Sequence, residues 1–189
     1  MRVVRCVIED VATWHPRLFL EPHLVACVAV MSRYSGPPAV FDVECANIAS
    51  RWLRGATRFT VEVSWAEETA NKADCLRATM QSKPLVEIAS VALALVLTHR
   101  FVPLGQLDVT DYGGRADYRS LSVPRVLEVS GTETLAELER RHREKVAQAL
   151  ANPFGWDAYV VVCAFSAKGH RIRFSGHHLE EAACGETEG

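Results

Sequence analysis

The chain lacks a strong charge of either sign. Lysine and arginine together number 21 and aspartate and glutamate 23, which leaves a formal charge of -2 over 189 residues. A chain this balanced is not a general binder of polyanions, so any contact with nucleic acid must come from a local basic surface. Hydrophobic residues make up 49% of the chain and charged residues 23%, a composition that supports one full core and excludes bulk disorder.

The chain also lacks the patterns that mark zinc sites, disulfide frameworks and secretion. Its six cysteines form no CxxC pair, so we expect reduced, mostly buried thiols. The opening MRVVRCVIEDVA places acids where a secretory signal is apolar. The apolar run VEIASVALALVL is shorter than a membrane span of ~20 residues, which predicts a buried helix. Together these absences predict a cytoplasmic protein without a membrane partner.

Residues 1–81 have the pattern of a β-rich N-terminal portion that ends in a helix. Alternating or β-branched runs predict strands in VVRCVIEDV, AVFDVECANI and TRFTVEVSW. The apolar run HLVACVAVM fits a strand or a helix equally well. The composition of AEETANKADCLRATMQ predicts the closing helix.

Residues 82–176 have sharper signals, and they predict an α/β (α+β) core followed by a tail at 177–189. Apolar character, turn residues and helix-end residues place each element in turn. The predicted order is a core helix near 83–100, a three-stranded antiparallel meander over 107–130, a helix near 133–151 and a strand at 158–165 in the same sheet, with RIRFSG beside it.

Two acids stand out on consecutive strands of this meander. Strand alternation predicts that Asp117 shares a face with Arg115 and Arg119, and that Ala116 and Tyr118 share the opposite face. On the next strand, alternation gives one face to residues 126, 128 and 130, so Glu128 and Asp117 can converge if the two strands pair.

A cation is needed where two carboxylates lie a few ångströms apart, because they repel each other. Mg2+ (or Mn2+) suits such a pair, since it takes oxygen ligands and keeps some of its waters. Glu87 is a third candidate, because an acid within PLVEIASVALALVL is rarely buried without a partner. The chain has no GxGxxG, P-loop, GxSxG or HExxH motif that would suggest another chemistry.

The order helix, three-stranded meander, helix, strand, with AD on one strand and LEVS on the next, resembles the PD-(D/E)XK nuclease superfamily (restriction-endonuclease-like). The resemblance covers residues 82–174. It implies Mg2+-dependent cleavage of DNA, less often RNA, in settings such as bacterial defence, mobile elements or repair. It assigns Asp117 and Glu128 as metal ligands and Glu87 as a possible third.

Ser130 departs from the family pattern, because the motif has a lysine at this position. That lysine normally orients the attacking water, and some members supply it from the following helix instead. Here that helix offers Lys145 with Gln148 on one face, beside Arg141. We therefore expect Lys145 to be the relocated catalytic cation, with Gln148 and Ser130 as further candidates for the catalytic group.

Basic residues around these positions are the candidate contacts to nucleic acid phosphates. They lie on the second meander strand and in the run RRHREK of the following helix: Arg115, Arg119, Arg140, Arg141 and Arg143. Runs of this kind are most often only a solvated helix surface, so the nucleic-acid assignment depends on the nuclease interpretation.

Two other functions fit the same sequence. One is a non-catalytic relative that keeps the fold, has lost the lysine and binds nucleic acid or a partner protein. The other is an unrelated α/β structural or assembly subunit, in which the two acids are ordinary surface residues of a sheet. A homodimer or a protein partner is compatible with each interpretation.

Overall fold

A mixed β-sheet connects both halves of the chain. The computed structural model describes residues 2–102, 104–111, 113 and 115–178. Within these residues there are eight strands: β1 (Val3–Val7), β2 (Ala39–Ala46), β3 (Arg58–Ser64), β4 (Leu107–Val109), β5 (Tyr118–Ser120), β6 (Arg125–Thr132), β7 (Asp157–Ala164) and β8 (His170–His177). They form one sheet in the order β1-β3-β2-β8-β7-β6-β5-β4.

Helices cover both faces of this sheet, which gives a three-layer α/β arrangement. In chain order they are α1 (Asp10–Trp14), α2 (Glu21–Met31), α3 (Glu67–Thr79), α4 (Ser82–Phe101) and α5 (Leu138–Leu150), with a 3-10 turn at Leu135–Glu137 before α5. The larger apolar core joins α2 and α4 to one face, where Leu127 and Val129 of β6 are buried. A smaller core joins α5 to the opposite face, where Val126 is buried.

The predicted meander is confirmed. β4 pairs with β5 and β5 with β6, both in antiparallel register. The predicted strand at 158–165 is β7, which lies parallel to β6 in the same sheet. RIRFSG lies in β8, beside β7 as expected, and the two strands are antiparallel. These elements could be predicted because turn residues and clear alternation mark their limits.

The N-terminal portion and the later core share the sheet. β2 pairs in parallel with β8, so strands from residues 1–81 extend the sheet that residues 82–176 begin. The ambiguous run HLVACVAVM is helical and lies within α2. AVFDVECANI and TRFTVEVSW contain β2 and β3, and the predicted closing helix is α3.

The central apolar helix predicted near 83–100 is confirmed as α4. α4 has 20 residues, and among the described residues it is the one helix long and apolar enough to cross a membrane by length and composition. In this structure 67% of its apolar window is buried inside the protein. α4 is therefore a core helix of the fold, because its apolar surface packs on α2 and β6.

The face assignment around Asp117 was wrong. β5 begins only at Tyr118, and Arg115 has a positive φ of 53°, so residues 115–117 do not follow strand alternation. Ala116 packs in the core beneath α5, whereas Tyr118 packs in the core on the opposite face of the sheet. The turn before β5 reorients the chain, and strand parity applies only after that turn.

Some predictions concern residues that the structure does not describe. Gly114 of the predicted hairpin turn and residues 179–189 of the predicted tail lie outside the described residues, while His177 is the last residue of β8. Of the cysteines described, Cys75 is exposed and the others are buried: Cys6, Cys27, Cys45 and Cys163. All five are free thiols, as expected.

Candidate functional site

The candidate site lies along one edge of β6, beyond the end of its partner β5. Their register sets Tyr118 opposite Leu127 and Arg119 opposite Val126. Because β5 begins at Tyr118, residues 128–132 of β6 have side chains in place of a paired strand on the side away from β7. We call this segment the β6 edge.

Two carboxylates satisfy backbone donors of the β6 edge. Asp117 Oδ2 accepts a hydrogen bond from the Val129 N–H at 2.7 Å. Glu87 Oε2, which comes from α4, accepts one from the Gly131 N–H at 2.8 Å. An N–H group left without a partner is costly when buried. The two acids therefore help to end the sheet ladder, which gives them a structural role that is independent of any chemistry.

Glu87 reaches the β6 edge because α4 passes very close to Gly131. A Cβ atom on Gly131 would collide with the Ser90 side chain and with the backbone carbonyl of Val86. Only glycine allows this approach of helix to strand. Gly131 therefore determines where the Glu87 carboxylate lies.

Lys145 contacts the buried carboxylate of Glu128. The Lys145 Nζ lies 2.5 Å from Glu128 Oε1 and 3.2 Å from Gln148 Oε1. The Glu128 side chain has no solvent exposure, whereas that of Lys145 is 27% exposed. Within the described part of the chain, Glu128 Oε2 is buried and has no hydrogen-bond partner. Half of a buried carboxylate thus remains unsatisfied, which is costly for the charged form.

Burial and mutual repulsion disfavour ionisation of both meander acids. Loss of solvation and the nearby Asp117 carboxylate raise the pKa of Glu128 to about 7, although Lys145 opposes the rise. Burial also raises the pKa of Asp117, against the Val129 N–H and Lys145, and Glu87 adds to the rise. The three carboxylates and the lysine therefore form one electrostatic group.

Arg141 ties α5 to α4 at the same edge. Its Nη1 lies 3.0 Å from Glu87 Oε1 and donates to the Gly131 carbonyl at 2.9 Å, while its Nε lies 3.2 Å from Glu137 Oε2. This guanidinium is directed at protein acceptors on the β6 edge. Its predicted role as a phosphate contact would therefore require it to leave partners that it already has.

Ser130 is buried at 2% exposure. Its hydroxyl donates to Glu87 Oε1 at 3.5 Å, and it lies at the same distance from the Arg141 guanidinium. Ser130 is thus a small polar residue that contacts the acid from α4. The positively charged group that contacts Glu128 is the ammonium of Lys145.

The other candidate arginines are spread over the surface around the site. Arg115 and Arg143 are exposed. Arg140 lies on the outer side of α5 and pairs with Glu144 at 2.5 Å. Arg119 lies on β5, where its guanidinium is 3.9 Å from an Asp108 oxygen.

The three acids do not line one hollow. A hollow of ≈260 Å³ between α4 and the meander is lined by Glu87 and Asp117, together with His23, Ile88, Val91, Val109, Tyr118 and Val129. Glu128 points to the α5 side of the sheet because side chains alternate along β6. The structure thus brings Glu87 and Asp117 to one concavity and Asp117 and Glu128 into electrostatic contact. Among the described residues, no group of three or more His, Cys, Asp or Glu is arranged to hold a metal.

Comparisons of the chain with protein-family models, with curated proteins and with solved structures find no match.

Sequence reasoning missed two contributors to this site. The backbone of Gly131 provides a donor and an acceptor, and Glu137 binds both Arg141 and the Thr132 hydroxyl at 3.1 Å. A glycine inside a strand pattern signals close approach of another backbone, and this signal was available in the sequence. Glu137 had no such signal, because its role depends on how α5 begins.

Proposed function

We propose that this protein is a Mg2+-dependent nuclease whose residues 82–176 form a divergent PD-(D/E)XK-like core. The proposal depends on one observation: Lys145, on the helix α5 that follows the meander, contacts Glu128 with its ammonium group. This is where a relocated motif lysine is expected when Ser130 occupies the usual position. The order α4, β4–β6, α5, β7 also agrees with the element order that the resemblance implies.

The residues present suit a divalent cation held by Asp117 and Glu128. The unsatisfied, buried Glu128 Oε2 and the mutual repulsion of the two acids are both relieved by a cation between them. Mg2+ accepts one or two protein carboxylates and fills its remaining positions with water and phosphate oxygens. Bound there, the ion would activate a water and neutralise charge on a phosphodiester. Glu87 as a third ligand stays a prediction, since its oxygens already accept from Gly131 and Arg141.

The chain itself would supply positioning and one positive charge. Asp117 is fixed by the Val129 N–H, so its carboxylate is oriented before any ligand arrives. Lys145 is partly exposed and can meet the negative charge that accumulates on a phosphodiester in the transition state. Gln148 lies beside the lysine and holds the ammonium through its side-chain oxygen.

The test is hydrolysis of single-stranded DNA, double-stranded DNA and RNA by the purified protein with Mg2+ or Mn2+. We expect metal-dependent cleavage that Asp117→Asn and Glu128→Gln abolish, because both substitutions remove a ligand charge while preserving shape. Lys145→Ala should lower the rate by about 10²–10³, the usual cost of one charge-stabilising group. Asp74→Asn is the matched control, since it removes an acid whose side chain pairs with Arg77 of the same helix and with none of the candidate site residues, and it should cleave normally.

The second candidate is a non-catalytic relative that binds nucleic acid or a protein partner. It is favoured by the complete burial of Glu128 and by the use of Asp117 and Glu87 as partners for the β6 edge. Under this alternative, no substrate is cleaved with either metal, and Asp117→Asn weakens the fold without changing any activity.

A further inference from the structure

Lys145 is placed where the two meander acids most need a cation. Its ammonium is 2.5 Å from Glu128 Oε1, and its charge also favours the ionised form of Asp117. The lysine therefore already neutralises part of the charge that a divalent ion would neutralise.

Access to Glu128 depends on the same side chain. Glu128 is wholly buried and Lys145 is the partly exposed member of the pair. A carboxylate can enter the coordination shell of an ion only if an oxygen is reachable. An approaching ion must consequently either share Glu128 with the lysine or replace it.

If the Lys145 ammonium moves away from Glu128, a second hydrogen-bond acceptor is within reach. Gln148 Oε1 lies 3.2 Å from Nζ, and Gln148 is exposed at the surface of α5. Because Gln148 is three residues further along the same helix, the flexible lysine stem can stay in place while its ammonium moves toward this amide.

We propose that Lys145 is a built-in competitor of the divalent ion for Glu128, and that metal binding shifts its ammonium toward Gln148 and the substrate side of the site. This inference rests on the metal site of the proposed function. It gives the lysine opposite effects on two measurable quantities: it weakens metal binding and it promotes cleavage. A lysine that only stabilised the transition state would promote cleavage without weakening metal binding.

The experiment measures the rise in melting temperature with increasing MgCl2, since a ligand bound only by the folded state stabilises it by mass action. Lys145→Met keeps an unbranched apolar stem and removes the charge. We expect its half-maximal shift at a Mg2+ concentration lower than that of the wild type by about tenfold, equivalent to about 1.4 kcal/mol of binding free energy. Gln148→Leu should move the midpoint upward, because the displaced ammonium then has no second acceptor.

The comparison of Mg2+ midpoints requires a suitable pH and a control variant. Titrations are run at pH 9, so that removal of the lysine is not offset by protonation of Glu128. Lys72→Met is the control, because it removes the same charge from a lysine whose ion-pair partners, Glu21 and Glu68, are not residues of the site, and its midpoint should match the wild type. If circular dichroism shows that Lys145→Met is unfolded, Lys145→Gln replaces it.

The outcomes separate this inference from the proposed function. If neither the wild type nor the Lys145 variant responds to Mg2+, the metal site and the proposed function are both wrong. If the wild type responds and the Lys145 variant responds at the same or a higher concentration, the competition is wrong while the metal site stands. Equal midpoints for the Lys145 and Lys72 variants would likewise overturn the competition.

Discussion

Arg141 and Lys145 lie one turn apart on α5, and each contacts a glutamate from another element. Arg141 meets Glu87, whose side chain is 40% exposed, while Lys145 meets Glu128, whose side chain has no exposure. Both pairs join a cation of α5 to an acid near the β6 edge. They differ in how much water remains around the acid.

The difference shows why distance alone does not rank ion pairs. Water screens the Arg141–Glu87 pair, and pairs of this type contribute little to stability. Glu128 cannot recover hydration if it loses Lys145, so breaking that pair leaves a buried charge without compensation. We therefore expect the loss of Lys145 to lower stability more than the loss of Arg141.

The largest expected effect is the loss of the buried pair. Lys145→Ala should lower the free energy of unfolding at pH 9 by about 3 kcal/mol, because the ionised Glu128 then stays buried and unpaired. Arg141→Ala, its counterpart one turn earlier, should lower it by about 1 kcal/mol or less. Urea denaturation followed by circular dichroism measures both values. Equal losses for the two variants would show that burial does not distinguish the pairs.

A second effect is a pH dependence that belongs to Glu128. Its pKa is about 7 in the folded protein and lower, near 4.3, in an unfolded chain. Between these values the folded state binds more protons, so the contribution of Glu128 to stability falls as the pH rises toward 7 and is constant above it.

Glu128→Gln removes this titration and tests its sign. Relative to the wild type, the variant should gain stability between pH 5 and pH 8, by as much as about 3 kcal/mol. Denaturation curves at several pH values measure the difference between the two proteins. Parallel stability–pH profiles would contradict the raised pKa.

A third effect concerns Gly131, the buried residue that brings α4, and with it Glu87, to the β6 edge. Gly131→Ala should lower the free energy of unfolding by about 1–3 kcal/mol, because the new methyl group meets Ser90 and the Val86 carbonyl. Gly36→Ala is the control, since a Cβ there meets nothing within 4 Å, and it should change stability by less than about 0.5 kcal/mol. Thermal melting of both variants gives the comparison, and similar values would argue against the tight approach of α4 to β6.

Local pattern was enough to predict most elements of the second half. The meander, the core helix, the following helix and the strand at 158–165 each combine a clear period with turn or cap residues, and the structure has all of them. Asp117 and Glu128 as neighbours and Lys145 as the cation beside Glu128 also followed from strand order and helix spacing. Residue spacing works for Glu128 and Lys145 because they belong to regular elements with fixed periods, whereas Asp117 precedes β5 and only the strand order brings it near Glu128.

The sequence by itself determined which charged residues lie on or next to the strands and in which element each of them lies. Only the tertiary structure decided their surroundings. The late start of β5 placed Asp117 on the Val129 N–H, and the close approach of α4 at Gly131 brought Glu87 to the β6 edge. Packing of α5 over β6 removed all solvent from Glu128 and left Lys145 as its partner. Burial and hydrogen bonding arise from contacts between distant segments, and these contacts, more than local spacing, set the energy of a charge.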